Sequence, residues 1–307
     1  MSRFSKIKDY IKKNKRVMEV YETTRILFRR CLYKLSPVLL IQYLFIINNH
    51  KMANIKKPKT FDEKLIWLML YWNNPSKIEC ADKYAVRSYV KNHGLGNILP
   101  RLIDIYKHPT DIDYATLPER FVLKCTHGSR MNIICKDKRK LDIKEANRKL
   151  DAWLKLDYAQ FGGEAHYALV PPNIICEEYL ENLADASTDD YKVFCFKGKV
   201  HCTMVCAKRG SGSTQFDFYD REWRNKLAYS KSSLLANRDI PRPDAYDQII
   251  EAAEILTKPF PFVRVDFYSI NGKAIFGEMT FTPNGCIDKG YTELAQNELG
   301  ELLYLPL

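Results

Sequence analysis

The sequence predicts an α+β protein: two lobes of mostly antiparallel sheet with helices packed on them, preceded by a basic helical N-terminal extension. Three features point there. Apolar spacing is helical up to Gly94, apolar runs have strand length from Ile98 onward, and Lys197-Gly198-Lys199 and Asn271-Gly272 each read as a hairpin turn. With 307 residues, 46% of them apolar, the chain can bury more than one core.

Residues 1–50 read as two or three short helices. Ile7, Tyr10 and Ile11 lie among lysines there, the pattern of an interfacial or docking helix. Residues 51–59 form a linker. Thr60-Phe61-Asp62-Glu63 is a capping box that opens a helix carrying Leu65, Trp67, Leu68 and Tyr71. A second helix is predicted over 82–93, stopped by Gly94. Strands are predicted at 98–106, 121–125, 132–135 and 174–180, with a helix over 143–156 among them. Further strands fall at 191–196 and 200–207. A helix over 246–256 then precedes a hairpin of 262–270 and 273–281. The order suggests an extension (1–59), a helical lead-in that starts the small lobe (60–115), the small lobe itself (116–180) and a large lobe (181–307).

The charge is uneven. Residues 1–60 hold 15 Lys or Arg against three acids, whereas the remainder holds 33 against 34. Such an extension suits an anionic partner, either a phospholipid surface or an acidic polymer, and equally suits a solvated helical face. The first residues lack the unbroken apolar core of a secretory signal, and the run 37–47 is about half of the roughly 20 residues a spanning helix needs. Nine cysteines, odd in number and without paired-ligand spacing, fit a reduced cytoplasmic interior.

Acids inside apolar strands require a partner, because an unpaired buried carboxylate costs several kcal/mol. In the last hairpin Arg264-Val265-Asp266 faces Phe276-Gly277-Glu278-Met279-Thr280. Two converging carboxylates can hold Mg²⁺, a hard ion that prefers oxygen; the same residues also fit ordinary ion pairs on a solvated sheet face. A strict two-residue turn at Asn271-Gly272 puts Asp266 and Glu278 on opposite faces of the ribbon. A shared ion therefore demands a bulge or a three-residue loop. A second pattern is Lys124 at the end of an apolar strand, followed by the small-residue loop Thr126-His127-Gly128-Ser129, where backbone N–H groups can approach phosphate. A strand-end lysine beside an ordinary turn has the same sequence. The third is Glu177-Glu178-Tyr179-Leu180 with Asp190 beyond it, either a hinge offering backbone groups to an adenine edge or a plain sheet edge.

The order of these patterns resembles the ATP-grasp superfamily and, within it, the TupA-like branch associated with bacterial surface-polysaccharide and teichuronopeptide synthesis. The resemblance runs from about Phe61 to the C-terminus. Asp82-Lys83-Tyr84-Ala85-Val86-Arg87 is similar to that superfamily's Asp-Lys-x-x-x-Lys helix, with Arg87 in the place of the phosphate-contacting lysine. Lys124 matches the nucleotide lysine, and His127, Gly128 and Ser129 the loop that closes over the phosphates. Glu177, Tyr179 and Leu180 match the adenine hinge, and Asp190 the ribose acid. Asp266 and Glu278 match the metal acids, with Thr280 standing where an Asn is usual.

The resemblance implies ATP and Mg²⁺ as cofactors and two lobes that clamp the nucleotide. It also implies activation of a carboxylate as an acyl phosphate, followed by attack of an amine. Arg264 is then placed to stabilise the oxyanion, and Lys208 and Arg209 are candidates for gripping substrate or phosphate, or else a solvated strand end. The implied partners are a uronic-acid glycan or its lipid-linked precursor and an amino acid or similar amine. Peripheral contact of residues 1–50 with the anionic inner face of the bacterial membrane would suit a lipid-linked acceptor. A nucleotide-sugar glycosyltransferase with Asp189, Asp190 and Asp266 on its metal is the competing enzyme class. A basic adaptor that uses residues 1–60 is the non-enzymatic one, although nothing in 121–205 resembles a nucleic-acid face.

Overall fold

The computed structural model describes residues 15–180, 189–207, 215–232 and 239–306. The described part of the extension forms a helical hairpin, α1 (Lys15–Leu35) and α2 (Pro37–Asn49), with Pro37 at the start of α2 where a missing N–H costs nothing; Ile7, Tyr10 and Ile11 lie outside the described residues. The Thr60 capping box is present and opens α3 (Phe61–Tyr71). A separate short helix that the sequence did not predict, α4 (Pro75–Ala81), comes next. The helix expected over 82–93 shortens to α5 (Val86–Asn92), because Asp82 turns extended and accepts the Tyr84 N–H at 2.7 Å.

The smaller sheet contains β1 (Leu102–Tyr106), β2 (Phe121–Cys125), β3 (Asn132–Cys135) and β4 (Ile174–Glu178). All its pairings are antiparallel, in the order β1-β4-β2-β3. The first strand is shorter than expected. Gly96–Ile98 is a 3-10 turn, and Pro100, with no N–H for a ladder, delays pairing until Leu102. Helix α6 (Ile143–Leu154) covers one face of this sheet and buries Leu150 against Phe121, Leu123 and Cys176.

The larger sheet contains β5 (Asp190–Phe196), β6 (Lys199–Ala207), β7 (Gln215–Asp220), β8 (Lys226–Leu227), β9 (Val263–Ile270) and β10 (Lys273–Thr280). It too is antiparallel throughout, in the order β10-β9-β5-β6-β7-β8. Strand alternation gives it two covered faces. Val193, Cys195, Val263, Val265 and Phe267 pack against α5 and α8 (Tyr246–Thr257). On the other face Phe194, Phe196 and Phe262 surround the Phe61 ring of α3, and α9 (Glu293–Leu302) adds Leu299. The helices between 61 and 92, expected as a lead-in to the small lobe, therefore supply the cores of the large one. Hydrophobic volume decides this, since the six-stranded sheet has two apolar faces to cover.

Between α6 and β4 the chain forms α7 (Tyr158–Gly162) and the 3-10 turn Ala165–Leu169, which pack as a bridge between the two cores. Tyr158 packs on the small-lobe core and Tyr167 on the large-lobe core, their rings edge-on at 5.1 Å. Among the described residues no helix is long and apolar enough to cross a membrane.

Candidate active site

The face of the large sheet that is apolar at Phe194 and Phe262 becomes charged further along the same strands. Residues two apart share a face, so Asp190 and Lys192 on β5 lie on the side of Arg264 and Asp266 on β9. Arg264 grips Asp266 with two hydrogen bonds, Nε to Oδ1 at 2.7 Å and Nη2 to Oδ2 at 2.9 Å. The Lys192 ammonium donates to Asp266 and pairs with Asp190 at 2.7 Å. Burial alone would raise the pKa of Asp266, but Arg264 and Lys192 outweigh it and hold the carboxyl below its ordinary range. Asp266 raises the pKa of Arg264 in return, against the effect of burial.

Strand β10 completes this face through the shift that the sequence required. The turn has two residues, Asn271 and Gly272, both at positive φ, so Ile270 pairs with Lys273. The register then slips between Phe276 and Glu278, leaving Gly277 as the bulge residue and bringing Glu278 directly opposite Asp266. Gly277 has no alternative, because a Cβ there would sit 2.8 Å from the Asp266 carbonyl oxygen. Thr280 donates to Glu278 at 3.1 Å, and Arg264 lies 3.2 Å from the Thr280 hydroxyl and 3.7 Å from the Glu278 carboxylate. The Glu278 side chain is 40% exposed, so the cluster opens outward at that acid.

Lys124 of the small sheet and Arg87 of α5 converge on one small-sheet acid. Glu177 accepts from Arg87 at 2.8 Å and from Lys124 at 2.6 Å, and Arg87 also donates to the Pro100 carbonyl at 2.6 Å. Arg87 and Glu177 are buried, while the Lys124 side chain keeps 28% exposure. Tyr179 lies under the Arg120 guanidinium, 5.6 Å from its ring centroid, and Leu180 is half-buried. In the loop after β2, Ser129 Oγ is 2.6 Å from the Tyr158 hydroxyl, and a Cβ on Gly128 would collide with that ring and with Met131. His127 is turned away from this contact. It is buried, its Nε2 lies 3.1 Å from the Trp153 carbonyl, and burial lowers its pKa.

Two lysines omitted from the expected site complete it, and the first of them spans the two sheets. The Lys83 ammonium donates to the Gly128 carbonyl of the small-lobe loop and lies within Coulombic range of both Glu278 and Lys124. Burial lowers its pKa, and Lys124 adds to that effect. Lys192 is the other, bound between two acids. Its spacing from Asp190 on one strand was the available signal, though a lysine in a strand is commonplace. A third addition is Glu164 of the bridge, buried and accepting from the Thr282 hydroxyl beyond β10; burial, with Glu278 adding, raises its pKa to about 7. Lys208 and Arg209 lie outside the described residues. A separate surface cleft of about 620 Å³ lies on the outer side of α8 and holds none of these groups.

The TupA-like ATP-grasp family model matches residues 63–304. The fold is similar to D-alanine–D-alanine ligase from Bacillus anthracis, solved in complex with ATP, at 14% identity and a TM-score of 0.43, over 73% of this chain and 64% of that one. It is similar to the Helicobacter pylori D-alanine–D-alanine ligase at 14% identity and a TM-score of 0.41, over 80% and 69%. Against phosphoribosylamine–glycine ligase from Thermotoga maritima the values are 12% and 0.40, over 66% and 48%. The chain thus spans less than two thirds of the Bacillus anthracis enzyme. No curated protein matches the sequence. With the family's match extending across both sheets and the charged face between them, the chain belongs to the TupA-like ATP-grasp family.

Proposed function

We propose that the protein is an ATP-dependent carboxylate–amine ligase that activates a carboxylate as an acyl phosphate and transfers it to an amine. The observation that carries this proposal is the pair Asp266 and Glu278, brought opposite each other by the Gly277 bulge, with the Lys83 ammonium tied to the Gly128 carbonyl of the phosphate-loop candidate and electrostatically coupled to Glu278. The donor set suits Mg²⁺ by its chemistry, since two carboxylates and the Thr280 hydroxyl are all hard oxygen ligands; both Asp266 oxygens accept from Arg264 and Lys192, so the ion would take the place of one of these contacts. Bound Mg-ATP supplies the γ-phosphoryl group that makes the carboxylate reactive.

The protein's own part is positioning and charge. Lys124 and Lys83 offer ammonium groups to phosphate oxygens, and Glu177 holds Lys124 and Arg87 in place while leaving the trio a net positive charge. Arg264, locked to Asp266 by its two hydrogen bonds, is placed to stabilise the oxyanion when the amine attacks. Backbone groups of Glu177 to Leu180 serve the adenine, and Lys208 with Arg209 the acceptor, whereas Asp190, expected at the ribose, is buried and paired with Lys192. TupA-like membership supports a uronic-acid carboxylate of a bacterial capsular or cell-surface polysaccharide, or of its lipid-linked precursor, with an amino acid or similar amine as the incoming group.

The test is ADP release from ATP and Mg²⁺ across a matrix of uronic acids and amino acids. Release that requires both partners, and that falls at least about a hundredfold in Asp266→Asn and Lys124→Ala, supports the proposal. Release of UDP from UDP-sugars, with ATP left intact, would return the protein to the glycosyltransferases.

A further inference from the structure

The helical hairpin at the N-terminus uses one side and leaves the other open. Leu40, Ile41, Leu44 and Phe45 of α2 are buried. Arg29 of α1 lies 5.0 Å from the Phe161 ring centroid, and the backbone at Gly163 abuts Ile41. The outward side of α1 carries Val20, Leu27, Phe28 and Leu35, between 48% and 76% exposed. These positions recur at seven or eight residues and therefore form one stripe. Phe28 meets Tyr43 of α2 edge-on at 5.2 Å, and one turn further on Ile46 and Ile47 are 41% and 43% exposed. The two outward stripes therefore meet.

The cations around this apolar surface decide its partner. Arg30, Lys34 and Lys51 flank the stripes, and Glu22 is already paired with Arg25. An interface with a protein concentrates apolar groups and depletes lysine. Apolar side chains interleaved with long cationic ones match the boundary between headgroups and acyl chains, where Lys and Arg reach the phosphates. We infer that the outward face of the α1–α2 hairpin docks on an anionic phospholipid bilayer. The hairpin packs directly on α7, so docking sets the bridge between the lobes close to the lipid surface. This inference is independent of the ligase proposal and survives its failure.

The full-length chain is floated with vesicles of phosphatidylcholine and phosphatidylglycerol, and with phosphatidylcholine alone. It should float with the anionic vesicles and lose this with rising salt. A combined Val20→Ser, Leu27→Ser, Leu35→Ser and Ile47→Ser variant should bind at least about tenfold more weakly, with an unchanged melting temperature. Arg30→Glu with Lys34→Glu should lose only the preference for anionic lipid. Cys31 is exposed on α1 while the other eight cysteines are buried, so a polarity-sensitive dye on its thiol should shift to the blue on anionic vesicles. Equal flotation of wild type and the serine variant overturns the inference, as does failure of the wild type to float with either vesicle. A wild-type dimer in light scattering that the serine substitutions make monomeric also overturns it, by assigning the face to a second copy.

Discussion

Asp266 accepts from both Arg264 and Lys192 in a buried site, so its removal is felt first as an unpaired charge. Lys192 retains Asp190, but Arg264 loses its bidentate partner. Asp266→Ala should cost about 3–5 kcal/mol in urea denaturation, well beyond the loss of a surface ion pair. A change under about 1 kcal/mol would mean that the network is solvated in solution. Glu164 supplies a pH signal. Its folded pKa of about 7 exceeds its ordinary 4.5, so the folded protein holds a proton that the unfolded chain releases. That contribution is fully present below pH 4.5 and is lost as pH rises through 7. Wild type should therefore lose stability relative to Glu164→Gln between about pH 5 and pH 8, by at most about 3 kcal/mol. Parallel profiles for the two proteins would remove Glu164 from the buried interior. Asp62, also raised to about 7 by burial, acts with the same sign. His166, lowered to about 3 by burial, opposes both as pH falls below 6.5.

At the scale of the element, the β9–β10 hairpin depends on a residue that carries no side chain. Gly277→Ala must push a Cβ against the Asp266 carbonyl oxygen, 2.8 Å away, with little room because Asp266 is held by its neighbours. The variant should lose about 1–3 kcal/mol and move Glu278 out of register with Asp266. Its nucleotide affinity should drop more than its melting temperature alone would explain, which isothermal titration with a non-hydrolysable ATP analogue can measure. Thr60 is a milder case. Its hydroxyl caps α3 at Glu63 N, and the Glu63 carboxylate returns to Thr60 N at 3.2 Å, so Thr60→Ala should cost about 1 kcal/mol in thermal unfolding. The other carboxylate contacts of Glu63, to Asn54 N and Lys59 N, tie the linker to this helix and should survive that change.

Across the whole molecule, the site is assembled from parts that lie far apart in the chain and meet only because the two sheets do. Lys83 precedes α5, a helix buried against the large sheet, yet its ammonium donates to Gly128 of the small lobe. Glu164 bonds to Thr282 of the large lobe, while Tyr158, six residues earlier, meets Ser129 of the small one. A change in the angle between the lobes must therefore rearrange both contacts. Nucleotide binding should accordingly slow amide hydrogen exchange in 126–131 and 158–169 together; slowing in one segment without the other would contradict this coupling.

Local chemistry made much of this legible in the sequence. The capping box at Thr60 and the Asn271-Gly272 turn follow from backbone preferences within a few residues. Parity required a one-residue shift, by a bulge or a three-residue loop, if Asp266 and Glu278 were to share a face; that it is a bulge at Gly277 was decided by the folded hairpin. Tertiary structure decided which charges meet. Nothing near Lys192 shows that it will lie between Asp190 and Asp266, nor does Glu177 reveal that it will bind Arg87 and Lys124 together. Those partners are set by strand order and lobe packing, and the Coulomb energy of a buried pair depends on distances that only the folded chain fixes.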